Sequence, residues 1–358
     1  MEIIMEKVKK ILNRIFIDGL SGMALGLFST LIIGTIIAQI GDLVMDIQVP
    51  AAQTIGLYIK SISNVAKSLT GAGIGVGVAV KFKEKPLVTI AAAVAGLIGA
   101  FPDVSMTAIA LGRPGEPLGA FVAAYAAIEI GHLVSGKTPV DIIITPFLSI
   151  ISGAVVGFIV GPPISKLMYW LGMLVNVNVE QSPVIGGIIV SVIMGMVLTL
   201  PISSAAIGIS MNLTGLAAGA AAVGCCCNMV GFAVASYREN KFGGLIAQGV
   251  GTSMLQVPNI VKKPVIWLPA IISSAVLGPV SSAVLHMTNN ATGSGMGSAG
   301  FVGQIMAWET MTQTTSGIVT LVEILLMHFV LPAVISLAVS EFMRKKGFIK
   351  PGDMKLDM

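Results

Sequence analysis

Three runs of the chain, Ile17 to Ile40, Leu87 to Phe101 and Val184 to Leu200, reach or approach the length of an apolar helix that crosses a membrane. Such a helix needs about 20 residues. Inside hydrocarbon the backbone finds no water, so its amides and carbonyls must be satisfied within the protein. The chain is therefore read as an all-α polytopic membrane protein. Composition agrees: 55% of residues are apolar and 11% charged, with a mean hydropathy of +0.93. Soluble domains carry about 25% charged residues.

The opening segment MEIIMEKVKKILNRIFIDG alternates basic and apolar residues at helical spacing, and no small-residue cleavage site follows. Residues 1–16 read as an amphipathic helix on the cytoplasmic surface. Basic clusters at MEKVKK, KFKEK (81–85), YRENK (237–241) and MRKKGFIK place those segments, and both termini, in the cytoplasm of a bacterial cell. The net charge of +4 does not argue for nucleic acid, because no basic stripe is interleaved with stacking aromatics. About ten crossings are expected, at 17–40, 55–80, 86–110, 117–134, 139–160, 183–208, 212–236, 243–260, 264–286 and 315–341. Lys60 and Lys67 strain the second, which leaves its first half in the interface and only LTGAGIGVGVAV to enter the membrane. The segments 117–134 and 243–260 are short for full crossings. Cys225, Cys226 and Cys227 are consecutive in an apolar helix, point about 100° apart and cannot converge on a metal; they read as core residues.

IISGAVVG at 150–157 is echoed by IISSAVLG at 271–278, each followed by Gly-Pro, and LTG occurs at 69–71 and 213–215. A weak internal duplication follows, with halves at 17–165 and 183–341 inside a transport domain of 17–342 and a cytoplasmic tail at 343–358. Repeats of this kind in transporters hold the solute between them.

Two stretches rich in glycine break the helical pattern: DVSMTAIALGRPGEPLGA at 103–120 and TNNATGSGMGSAGFVGQ at 288–304. Irregular backbone at membrane depth survives only where protein buries it or a watery cavity meets it, so both are candidate re-entrant hairpins. The first presents Arg113 and Glu116 at a Gly-Pro bend; a carboxylate there suits a sugar or polyol hydroxyl, and a guanidinium suits an anionic solute. The alternative is an ordinary surface loop. Glu129 and His132 share a helical face and fit either a hydroxylated ligand, a proton relay or a packing contact. His286, Asn289 and Asn290 precede the second stretch, where amides can donate to and accept from hydroxyls. Its glycines serve either ligand approach or helix packing. GAGIGVG at 71–77 lacks the strand of a dinucleotide fold, and no Walker motif is present, so no cofactor, metal or ATP chemistry is read here.

With GRPGEPLGAF, SGKTPVDIIITPFLSIISGAVVGFIVGPP and TNNATGSGMGSAGFVGQ in view, the chain resembles the membrane subunit, enzyme IIC, of bacterial phosphotransferase-system (PTS) sugar transporters, over most of residues 15–342. The likeness is greatest to a stand-alone IIC branch. The resemblance implies a homodimer in the cell membrane, alternating access, and a sugar touched by a histidine and by a glutamate in a Gly-x-x-Glu-Pro turn. Gly112, Glu116 and Pro117 follow that order with one extra residue, and the histidine is either His132 or His286. The Gly/Ser/Thr-rich tip follows the glutamate here, whereas in the family it precedes it. The chain carries no phosphorylation site of its own, so as an enzyme it is at most the membrane component of a phosphotransferase. Three alternatives stand at this point: separate phosphotransfer subunits, a phosphorylation-independent proton- or ion-coupled carrier, or a ligand-binding membrane sensor.

Overall fold

A computed structural model describes residues 12–47, 49–101, 115–175, 179–202, 204–211 and 213–356. It is helical throughout, and its only strand-like feature among the described residues is an isolated bridge between Gly215 and Asn289. Six helices are long and apolar enough to cross a membrane, and three shorter apolar helices join them. The chain divides into two compact units, residues 1–167 and 168–358.

In the first unit α1 (Arg14–Met45) runs through π-turns without a break, and the described part of the expected surface helix leads straight into it. The expected span at 55–80 is two helices, α2 (Pro50–Ser68) and α3 (Thr70–Lys81), parted at Leu69. Lysine chemistry explains the division. Lys60 pairs with Asp42 at 2.6 Å, and both Lys60 and Lys67 lie along glycines of α1, which packs against α2 as a hairpin. The Gly-rich α3 instead enters the core between α1 and α4 (Pro86–Ala100). Helix α5 (Pro117–Val134) packs on α3 and α4, and α6 (Asp141–Val175) follows. The remainder of the expected 86–110 span, Asp103 included, and Arg113 beyond it lie outside the described residues.

In the second unit α7 (Pro183–Thr199) and the short α8 (Ser204–Ser210) precede α9 (Gly215–Ala235), on which the unit is built. Every residue from Ala218 to Ala233 is buried, Cys225, Cys226 and Cys227 included. A helix apolar on all sides can be stable only when surrounded. Its neighbours are α7, α12 (Pro264–Val284) and α15 (Gly317–Lys345). Between them α10 (Tyr237–Ile246) gives way over 247–256 to π and 3₁₀ turns and then to α11 (Val257–Lys262), so the span expected at 243–260 is a chain of short turns. The cause is polar: Gln248, Gln256 and Asn259 are buried there and bond one another and nearby backbone, and the buried Ser253 shares a hydrogen bond with Thr199. Two short turns, α13 (Ala291–Ser294) and Ala299–Phe301, lead into α14 (Val302–Met311).

Beyond α15 the tail folds back onto this unit. Ile349, Met354 and Leu356 are buried, the first two against Phe232, Ile266 and Met343. Asn240 and Gln256 donate to the Met354 carbonyl at 2.8 and 3.0 Å, Asn259 to that of Lys355 at 2.9 Å, and Lys263 pairs with Asp353.

The helices approach through glycine. A methyl group on Gly77 would collide with the Gly22 carbonyl, one on Gly96 with that of Gly71, and one on Gly224 with that of Ser191. Gly224→Ala should therefore force α7 and α9 apart, cost about 1–3 kcal/mol and lower the melting temperature in detergent. Gly243→Ala, with nothing within 4 Å of the new methyl, should leave it unchanged or raise it. At the tail, partial burial raises the Asp353 pKa, but hydrogen bonds from Lys263 and the Lys350 amide outweigh it and hold the carboxyl below its ordinary value. The docked state gains stability above the unfolded carboxyl pKa of about 3.9 and loses it as pH falls through the lower folded value. Limited proteolysis of the tail should thus be slow at neutral pH and accelerate below about pH 4.

Candidate functional site

Glu116 sits where α4 ends and α5 begins. Gly115 takes the left-handed conformation (φ +71°), and a methyl there would lie 2.6 Å from the Ala100 carbonyl, so the turn demands glycine. The Glu116 amide then donates to that same carbonyl at 2.8 Å. Pro117, at the first helical position, needs no partner for a missing N–H, and the Glu116 carboxylate caps α5 by accepting from the Leu118 amide at 3.4 Å. Glycine and proline thus fix a half-buried carboxylate at a helix head.

Glu129 and His132 lie at the other end of α5, about 20 Å along the helix from Glu116 at 1.5 Å per residue. They share a face, as their spacing requires, but not a partner. Arg14 donates to Glu129 at 2.9 Å, and the His132 ring nitrogen lies 3.1 Å from Glu84. Arg14 bridges the two pairs, 3.5 Å from Glu84, with its guanidinium over the Phe82 ring. The result is a four-group ionic network beside the basic turn 81–85, and it is separate from Glu116. Arg113 lies outside the described residues.

In the second unit the stretch 287–304 is broken and mostly buried. Asn289 is 2% exposed; it donates to the Gly303 carbonyl at 3.0 Å, accepts from the Asn290 amide at 2.8 Å, and its own amide bonds Gly215. Asn290 caps α13 by accepting from Gly293 at 2.9 Å, with its side-chain amide 3.1 Å from the Met306 sulfur. Ser204 holds the Gly295 carbonyl at 2.6 Å, and Ser298 holds that of Gly249. Both asparagine side chains are therefore engaged in shaping the tip. His286 stands exposed at its entrance in the left-handed conformation (φ +50°), and Gly297, Gly300 and Phe301 also have positive φ. Such backbone is strained for histidine and phenylalanine, and strain of this kind persists only where surrounding contacts impose it.

Two residues not singled out from the sequence, Gln304 and His328, belong beside this tip, and a third, Glu323, lies on the same helix as His328. Gln304, at the start of α14, lies 3.1 Å from His328 Nδ1 and 3.3 Å from Cys226 Sγ, while its Oε1 is buried with no partner among the described residues. His328 is 1% exposed in the π-turn Leu326–Val330 of α15. Glu323, five residues earlier, is half-buried on the same apolar helix. The signal was available: Glu323 and His328 are the only titratable side chains between Gly317 and Ser340, and an ionisable group within a span is costly enough to mark function by default.

A family model described as "Phosphotransferase system, EIIC" matches residues 17–356, almost the whole chain. The chain belongs to the phosphotransferase-system EIIC family. No curated protein matches it. Membership makes this EIIC chain a multi-pass membrane protein and a transporter of the sugar type. It agrees with the resemblance carried by the GRPGEP and ATGSGMGSAG motifs.

Asn289→Ala should strand the Gly303 carbonyl and cost about 1–3 kcal/mol, visible as a lower melting temperature. His286→Gly, which relieves the left-handed backbone, should hold or raise it.

Proposed function

We propose that this EIIC chain carries a small hydroxylated solute, a sugar or sugar derivative, by alternating access, and that Glu116 is a solute contact. The observation that carries the reading is the turn at Gly115–Pro117: it holds a half-buried carboxylate, and the described part of the chain gives it no cation. Among the described residues a single 3.4 Å amide contact engages its lone pairs. A carboxylate so placed accepts from paired hydroxyls more strongly than a neutral group does. Arg113, two residues before this turn in sequence, would favour a solute bearing a negative group. His286, Asn289 and Asn290 take a supporting part in this proposal by shaping the second Gly-rich tip. The Glu129–Arg14–Glu84–His132 network fits a latch at the end of the span better than a solute contact, because its members already engage one another. The chain would work as a homodimer in a bacterial cell membrane with both termini cytoplasmic, and separate subunits would transfer the phosphoryl group to a hydroxyl of the solute it carries.

The test is ligand-induced stabilisation of the purified protein across sugars, sugar acids and polyols, followed by uptake in proteoliposomes. Glu116→Gln keeps the size of the side chain and its cap but loses the charge. It should weaken the active ligand about tenfold or more, the worth of a charge-assisted hydrogen bond. Unchanged stabilisation and uptake in that variant would remove Glu116 from the site.

A further inference from the structure

Where α9 gives way to α10 and α15 reaches its last turn, two adjoining cavities of about 490 and 480 Å³ open, sharing Arg238 and Glu341 as their common wall. The first is the more charged: besides that pair it is lined by Arg344, Glu239 and Lys345, with Ile349 and Pro351. The second is largely apolar, lined by Val234, Tyr237, Leu245 and Leu337. We propose that together they bind one anionic phospholipid of a stated kind, a singly charged phosphodiester with a hydroxylated head group. Its phosphate would lie beside Arg238 and Lys345, and an acyl chain would run along Leu245 and Leu337.

Position comes first. This end of the unit is ringed by exposed aromatics, Tyr237, Phe242, Phe342 and Phe348, and by the exposed lysines Lys241, Lys345 and Lys346. Amphipathic rings and long cations gather at the level of lipid head groups. Lys346 additionally lies 5.9 Å over the Phe342 ring. A cleft there meets head groups through its polar half and acyl chains through its apolar half.

Charge narrows the occupant. The floor of the polar cavity is rigid and neutral: Arg344 and Glu239 are over 90% buried and joined by two bonds of 2.9 and 3.1 Å. On the rim, Arg238 is 68% exposed and among the described residues gives one hydrogen bond, of 2.7 Å to Glu341, which leaves most of its five donors for a ligand. Three cations against two carboxylates leave one positive charge, which matches a phosphodiester and is a poor match for a doubly charged free phosphate. Glu341, on the rim, can accept from head-group hydroxyls. Basic pockets between spans are the usual seats of acidic lipid heads.

The test uses the full chain purified in neutral detergent, its melting temperature followed as phosphatidylglycerol, phosphatidylcholine or soluble glycerol phosphate is added. Phosphatidylglycerol should raise it saturably, and the other two should not. Lys345→Gln, an exposed substitution, should keep the lipid-free melting temperature while weakening phosphatidylglycerol on the order of fivefold, the worth of one cation at a lipid surface. Arg238→Gln should weaken it at least as much. An equal response to phosphatidylcholine, the full effect from glycerol phosphate alone, or an unaltered phosphatidylglycerol response in both variants would overturn the proposal.

Discussion

In hydrocarbon, burying one more leucine gains little, because the lipid is as apolar as the protein interior; helices cohere there by close contact and by hydrogen bonds between them. The two units obey this constraint in the same manner. Gly22 faces Gly77, Gly71 faces Gly96 and Gly99 faces Gly119 in the first, and Gly224 faces Ser191 in the second, each at a distance that no larger residue permits. With backbones this near, carbonyls come within reach of side-chain donors on the neighbouring helix. Ser191 donates to the Ser274 carbonyl at 2.8 Å, and Ser282 to that of Pro183 at 2.6 Å.

The same closeness makes a polar core tolerable. Asn228, wholly buried on α9, accepts from Trp267 at 2.8 Å and from Thr199 at 3.2 Å, and donates to Gly224 and Ser274. A buried amide with every group engaged fixes one register of the surrounding helices, whereas an unengaged one costs several kcal/mol. Broken backbone is admitted on similar terms. The turns at 247–256 and 287–304 interrupt their helices, and Ser298 ties one to the other through the Gly249 carbonyl.

Much of this was legible. Helix α5 has the bounds 117–134 that its apolar run gives, and α12 and α9 lie within two or three residues of expectation, because lipid-scale apolarity is a strong local signal. Lys60 and Lys67 announced the break at Leu69, since cations seven residues apart cannot both leave a span. Pairing was not legible. Glu129 and His132 suggested each other by spacing, while their partners, Arg14 and Glu84, come from 115 and 48 residues away. Asn289 and Asn290 looked like free amides, and only the folded tip shows the carbonyl and the amides that occupy them. His328 escaped notice for a different reason: a single imidazole in a run of leucine and valine leaves the apolar pattern undisturbed.

Ile349 and Met354 follow every helix of the second unit in the chain, yet they complete its packing beside Phe232 and Ile266. During synthesis these residues emerge after the helices they pack against. Until they do, the bonds that Asn240, Gln256 and Asn259 give to the tail are unmade, and the recess beside Phe232 and Ile266 stays uncovered. The unit thus matures only after translation has passed its final span, so a prematurely terminated copy exposes the kind of surface that cellular quality control removes.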